Sequence, residues 1–179
     1  LEMGSNIGSV VKKLNEHPYY PKLFYEAFKD SVITGEQVLI ALSQFQITLL
    51  SVNSKYDAIR QGVDVFSEQE KKGYHLFLEH CNSCHKEPLF FENKYENNGL
   101  KVDTFLNDFG RWNITKVSRD SLKFKTPSLR NLSYTKPSMH DGTFNTLNKV
   151  LNHDSNEVVL NNNLAPSLKK GISLSAEDK

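Results

Sequence analysis

Apolar residues recur at helical spacing through the first third of the chain. In "IGSVVKKL" the residues Ile7, Val10, Val11 and Leu14 share one face, and in "YYPKLFYEAF" Leu23, Phe24, Ala27 and Phe28 do the same. Thr34 with Gln37 makes a capping-box start for "EQVLIALSQFQITLLS", where Val38, Leu42, Phe45 and Leu49 line one face beside Ala41. These stripes predict core-facing helices from Asn6 to about Gly62. A second box, Ser67 with Glu70, opens "FSEQEKKGYHLFLEHCNSCH", and Tyr74, Phe77 and Leu78 form its apolar face. From Lys86 to Tyr134 the periodicity is lost. "ENKYENNGL", "NDFGRWNIT" and "KTPSLRN" carry Gly, Pro and Asn at turn positions. So long an irregular run is uncommon in a compact domain unless something organises it. "GTFNTLNKVLNH" then predicts a short helix with Leu147, Val150 and Leu151 inward, followed by a polar connector. With no strands and no internal repeats predicted, the expected fold class is all-α.

Composition narrows the function classes. The chain has 179 residues, 24% charged and 38% hydrophobic, with a formal net charge of +1. That is an ordinary globular balance. It makes no electrostatic case for nucleic acid, and no apolar run is long enough to span a bilayer. The chain opens on Leu1 rather than Met and carries no secretory signal. Ser175 and Asp178 pattern a helix start one turn before Lys179. The expectation is a piece of a longer protein with material missing on both sides.

The chemistry concentrates in "HCNSCHKEP", which holds both cysteines of the chain, Cys81 and Cys84, followed directly by His85. A disulfide here would close a tiny loop and leave His85 unexplained. A thioredoxin-type pair belongs in a βαβ context, which is absent. A structural zinc site needs four ligands, and His75, His80, His140 and His153 do not fall at finger spacing. C-x-x-C-H is the spacing of covalent c-type haem attachment: two thioethers form on the porphyrin vinyl groups, and the adjacent imidazole becomes the proximal iron ligand. The cofactor expected in this chain is one haem c on Cys81, Cys84 and His85. Such attachment takes place outside the cytoplasm, so the expected compartment is periplasmic.

Beyond this motif, "LEMG", "YYPKLFYEAF", "ALSQFQITLLSVNSKYDAIRQG", "EQEKKGYHLFLEHCNSCH", "DFGRWNIT", "FKTPSLRNLSYTKPSMHDGTFNTLNKVL" and "LKKGISLSAEDK" occur in order. In that order they resemble the bacterial dihaem cytochrome c peroxidase family, which includes the methylamine dehydrogenase maturation enzymes. "FKTPSLRN" together with "MHDG" after a C-x-x-C-H carries most of the specificity. The resemblance implies two cytochrome c-like domains with one haem each. Residues 1–64 would be closing helices of the N-terminal, peroxidatic domain. Residues 65–179 would be the C-terminal electron-transfer haem domain, truncated at its end. A second haem and its pocket would lie upstream of Leu1. The function so implied is reduction of hydrogen peroxide to water with electrons from a small donor protein, a cytochrome c or a cupredoxin. An electron-carrier domain or a maturation-type haem oxidase is the alternative. A homodimer is the assembly to test, and the chain alone is expected to have little peroxidase activity.

The resemblance also assigns a second axial ligand, a Met or Tyr shortly after "HDG". Counted from His140, that position holds Asp154. His153, its neighbour, and Met139, in "MHDG", are the alternatives, so the sixth ligand stays open among Asp154, His153 and Met139. The expected iron is high-spin, mixed-spin or His/His, and not His/Met. Lys125 and Arg130 are candidates for pairing with haem propionates. Thr135 and Pro137 would, by resemblance, give backbone carbonyls to an interdomain Ca2+. His140 and Asp141 read equally as loop-holding polar groups or as hydrogen-bonding groups at the haem edge, and Trp112 reads as packing.

Overall fold

The computed structural model describes residues 4–179, so Leu1, Glu2 and Met3 of the "LEMG" segment lie outside the described residues. The chain divides into two compact units, Leu1–Val52 and Asn53–Lys179.

In the first unit, helix α1 (Ile7–Glu16) starts at Asn6, whose side chain accepts from the Ser9 N–H in a capping box. Helix α2 (Tyr20–Phe28) ends where Lys29 turns left-handed, at φ 60°, and donates to the Tyr25 carbonyl. Helix α3 (Gly35–Thr48) opens on the expected box, with Thr34 accepting from Gln37 N–H. Asn15 ties α1 to the turn before α3. Its Oδ1 accepts from Ile33 N–H at 3.0 Å and its Nδ2 donates to Ile33 O at 2.9 Å, so the buried Ile33 has both backbone groups satisfied. The predicted core stripe of α3 is only partly realised. Val38 is buried, but Leu42, Phe45 and Leu49 are exposed. Within this unit α3 packs on α1, and one neighbouring helix covers only part of an apolar face.

The second unit holds few regular elements and many polar ties. Helix α4 (Lys55–Arg60) is capped by Ser54 and helix α5 (Glu68–His80) by Ser67, the latter as its capping box predicts. Tyr56 of α4 and Tyr74 of α5 both donate to the Glu87 carboxylate. Tyr56 and Phe77 each meet the Phe90 ring at an edge, with centroids 4.7 and 5.4 Å apart. A two-stranded antiparallel pair, β1 (Tyr95–Glu96) and β2 (Phe124–Lys125), interrupts the otherwise helical architecture, with Tyr95 opposite Lys125. It runs through the long irregular stretch, whose other elements are helix α6 (Trp112–Thr115) and a short 3-10 turn at Ser118–Asp120. Helix α7 (Leu147–Asn152), capped by Thr146, passes directly into a π-helical turn, His153–Glu157. A short 3-10 turn, Pro166–Leu168, follows. The expected helix at Ser175 is present only as its capping turn, Asp178 accepting from Ser175 N–H and Oγ.

The inner residues of this unit are Leu164, Ala165 and Ile172 with the polar Asn97, Thr126 and His153. Among the described residues, no helix is long and apolar enough to cross a membrane.

Candidate functional site

Helix α5 delivers the cysteine motif. Its last turn closes with Cys81 N–H donating to Phe77 O at 2.8 Å. The Cys81 carbonyl then accepts from Cys84 N–H at 3.1 Å and from His85 N–H at 2.9 Å. Two successive bonds to one carbonyl roll the five-residue motif into a tight turn, so its sulfurs and imidazole are arranged by local backbone geometry. Both cysteines are free and half-buried. Burial, with the nearby Asp154 and Cys84, pushes the Cys81 thiol up to about 11. A redox nucleophile needs the opposite shift, towards thiolate. Among the described residues no group of three or more His, Cys, Asp or Glu side chains is placed together to hold a metal ion.

His85 is held from across the chain. Its Nδ1 lies 3.0 Å from the Pro127 carbonyl, 42 residues away in sequence. A carbonyl only accepts, so Nδ1 carries the hydrogen and Nε2 keeps its lone pair. Burial lowers the imidazole pKa against the opposing effect of the Pro127 and Phe90 backbone bonds, which favours the neutral form a metal requires. Hydrogen bonding of the far ring nitrogen is the usual way a protein fixes the tautomer of a ligating histidine. The donor set therefore fits haem c: two free thiols, four residues end to end, and a neutral imidazole with Nε2 available.

The Pro127 carbonyl is itself anchored. Thr126 N–H donates to Lys94 O at 3.0 Å and extends the β1–β2 pairing to the residue before Pro127. Beyond it, Ser128 Oγ donates to Leu89 O at 2.6 Å. Arg130, expected at a haem propionate, has its guanidinium held by protein groups. Nη1 and Nη2 donate to the two Asp57 oxygens at 2.9 and 2.8 Å, and Nη2 also reaches Pro88 O at 2.8 Å. The Arg130 donors hold the Asp57 carboxyl well below the usual carboxylate range. This fork joins α4, the segment after the motif and the "SLRN" loop.

The three candidates for the second axial position differ in what holds them. Met139 Sδ accepts from Asn98 Nδ2 at 3.1 Å. His153 is buried, with Nε2 3.0 Å from the Asn98 carbonyl. Asp154 lies on the π-helical turn, and burial raises its carboxyl to about 6, against a lowering by His153. Sequence reasoning missed Asn97 and Asn98. Asn97 Oδ1 accepts from Gly99 N–H at 2.8 Å, its Nδ2 donates to Asn161 Oδ1 at 3.0 Å, and its carbonyl accepts from Ala165 N–H at 2.9 Å. Gly99 has φ +70°, and a Cβ there would sit 2.3 Å from Val158 Cγ1 and 3.2 Å from Val159 N. The only signal was "ENNGL" itself, which reads as an ordinary turn.

His140 stacks on Phe124, with ring centroids 3.6 Å apart, and Asp141 Oδ1 accepts from Thr143 N–H at 3.0 Å. Both contacts hold the loop. Trp112 packs edge-on against Phe109 with Lys116 over its face. Lys125 is exposed. Thr135 Oγ1 donates to Asn131 O at 3.4 Å, and Thr135 and Pro137 flank Lys136 in an exposed turn.

Helix-borne C-x-x-C-H with a carbonyl-oriented histidine defines a candidate c-type haem attachment site, and comparison with known proteins places it in a family. Residues 1–64 match the family described as Di-haem cytochrome c peroxidase. Cytochrome c peroxidase Ccp of Escherichia coli (strain K12) is 34% identical over 82% of this chain and 33% of its own length. Methylamine utilization protein MauG of Methylophilus methylotrophus is 32% identical over 94% of this chain and 51% of its own. A crystal structure of a MauG-like protein associated with microbial copper homeostasis matches with a TM-score of 0.81 at 26% identity, covering 97% of this chain and 59% of that one. The chain belongs to the dihaem cytochrome c peroxidase/MauG family. It spans a third to a half of the length of these curated relatives.

Proposed function

We propose that this chain is the electron-transfer haem portion of a dihaem oxidoreductase that reduces hydrogen peroxide to water. One haem c is attached through Cys81 and Cys84 with His85 as proximal ligand, in a cytochrome c-like all-α domain. The observation that carries the proposal is the His85 Nδ1–H bond to Pro127 O, which leaves Nε2 as the only free donor of a neutral ring at the end of a C-x-x-C-H turn. When bound, haem c supplies one-electron chemistry at iron. The protein's own part is to orient the imidazole, keep it neutral and exclude water from one side of it.

The peroxide-reacting site, a second haem, Ca2+ shared through Thr135 and Pro137, a small cytochrome c or cupredoxin donor, a homodimer and a periplasmic location complete the proposal by analogy with the family. A maturation-type oxidase is the second reading, favoured by the MauG relative matching 94% of the chain against 82% for the peroxidase. Steady-state turnover of the full-length protein with peroxide and reduced cytochrome c separates the two. Donor oxidation in step with peroxide consumption supports the peroxidase, and no donor oxidation sinks it. The same assay on residues 1–179 is expected to show little activity.

A further inference from the structure

Two tyrosines share one carboxylate oxygen beside the cysteine motif. Tyr56 Oη and Tyr74 Oη both donate to Glu87 Oε1, the second at 2.7 Å. All three residues are half-buried. Glu87 follows His85 by two positions, and its N–H donates to Asn82 Oδ1 inside the motif at 3.2 Å. The Tyr56 ring meets the Phe90 ring at an edge, and the Phe90 backbone lies against the His85 imidazole. From there the aromatic contacts continue: the Tyr56 and Tyr74 ring centroids are 6.3 Å apart, and those of Tyr74 and Phe66 are 5.2 Å apart. The neighbouring carboxylate, Asp57, is gripped by the Arg130 guanidinium and held as an anion. Glu87 is met instead by two groups that each carry a hydrogen. Burial, and after it the bond to Glu87, raises both phenols, so those hydrogens stay on the tyrosine oxygens. The same guanidinium lies 6.0 Å from the Tyr56 ring centre. A positive charge there opposes a second one on the ring. Tyr56 therefore loses an electron readily only if its proton leaves as well, and Glu87 Oε1 already lies along the O–H bond to receive it.

We propose that Tyr56 and Tyr74, with Glu87 as their shared proton acceptor, form a reversible one-electron relay serving the haem carried by Cys81, Cys84 and His85. The inference rests on the proposed function and adds to it a redox role for side chains of the protein itself. When that haem has been oxidised by peroxide, directly or through the second haem, one tyrosine gives it one electron. The phenol O–H bond breaks, the proton forms a new O–H bond on Glu87 Oε1, and the unpaired electron stays on the phenoxyl ring. One electron returned by the small donor protein reduces the phenoxyl, the proton goes back from Glu87, and both groups end as they began. Because the two phenols share one acceptor oxygen, the radical has two places to settle.

The test uses residues 1–179 made in a host with haem c maturation machinery. The wild type is compared with Tyr56→Phe, Tyr74→Phe, the double Phe variant and Glu87→Gln, and haem content and urea unfolding are recorded for each. The haem is oxidised with hydrogen peroxide or, where the ferric spectrum does not change, with a photogenerated ruthenium(III) polypyridyl. Samples are then frozen for electron paramagnetic resonance. The wild type is expected to give a tyrosyl signal whose hyperfine pattern changes in deuterium oxide, as an exchangeable hydrogen bond requires. Each single Phe variant should keep a signal, and the double variant should lower the radical yield by about tenfold. Glu87→Gln keeps an oxygen acceptor of the same shape but removes the base, and should lower the yield as much without loss of haem. A merely structural tie would shift the urea midpoint of Glu87→Gln and leave its radical yield unchanged, and that result overturns the inference. An undiminished signal in the double variant, from Trp112 or another tyrosine, does so too. Should Glu87→Gln fail to fold, the double Phe variant, which keeps both rings, decides. Haem-loaded wild type without a tyrosyl signal brings down the inference alone. Wild type that takes up no covalent haem brings down the proposed function, and the inference with it.

Discussion

His85 and Asp154 belong to the same unit but are held by different means. Around His85 the backbone does most of the positioning within five residues, through the two bonds to the Cys81 carbonyl. One carbonyl, Pro127 O, then completes the orientation, and the Asp57–Arg130 fork secures the segments on either side of it. Around Asp154 there is no such local device. The ties come from distant parts of the sequence: Asn98 holds both Met139 and His153, Gly99 accepts from Val159 N–H, Ile172 N–H donates to the Asp154 carbonyl, and Gly171 packs against Ser155 O. The first side is a motif with one charged brace. The second is a tertiary arrangement whose parts stand or fall together. Damage to the brace should therefore cost much at one point, and damage to the arrangement should cost less per residue but disturb more of it.

The largest effect is expected at the brace. Arg130→Ala removes a bidentate partner from the well-enclosed Asp57, whose side chain is only 12% exposed. It should cost about 3 kcal/mol in urea unfolding of the second unit. A loss below that of any single change around Asn98 would break the comparison. Gly99→Ala comes next. It places a Cβ at a left-handed φ and against Val158, and about 2 kcal/mol is expected. Its broader signature should be loss of hydrogen-exchange protection in both the 97–99 and the 158–165 segments.

A third prediction uses pH. Burial raises the folded-state carboxyl of Asp154 from 3.8 to about 6. The folded state then binds the proton more tightly than the unfolded chain does. The associated stability is fully present below pH 4 and is lost as pH rises through about 6. In haem-free protein, Asp154→Asn should remove this pH dependence. The variant should therefore gain about 2 kcal/mol on the wild type between pH 4 and pH 7. A constant difference across that range would show that the carboxyl is not enclosed. The smallest effect is expected for Met139→Leu, below about 1 kcal/mol, because the volume is kept and only one N–H···S bond is lost. A larger loss would raise Met139 from a tethered filler to a keystone of the Asn98 side.

What was legible in the sequence follows the same division. The capping boxes at Thr34 and Ser67, helix α5 and the C-x-x-C-H turn depend on residues within a few positions of one another, and local pattern sufficed for them. The stripe of α3 was readable as a helix face but not as buried, since burial depends on what lies opposite. Arg130 was singled out as a partner for a haem propionate, and the Asp57 carboxylate it grips, 73 residues away, has no local signal. What holds Met139 and His153 could not be read by counting, because both bond Asn98, which is 41 residues from Met139 and 55 from His153. The short β1–β2 pairing escaped for a related reason: two residues per strand leave no alternation to detect.

The account stands on covalent haem at Cys81 and Cys84. Intact-mass spectrometry with a pyridine haemochrome spectrum, on residues 1–179 produced alongside haem c maturation machinery, tests it most directly. The predicted result is one haem per chain, retained on denaturation and absent from the Cys81→Ala/Cys84→Ala double variant. A folded wild-type chain at its unmodified mass, with no haemochrome, would contradict it.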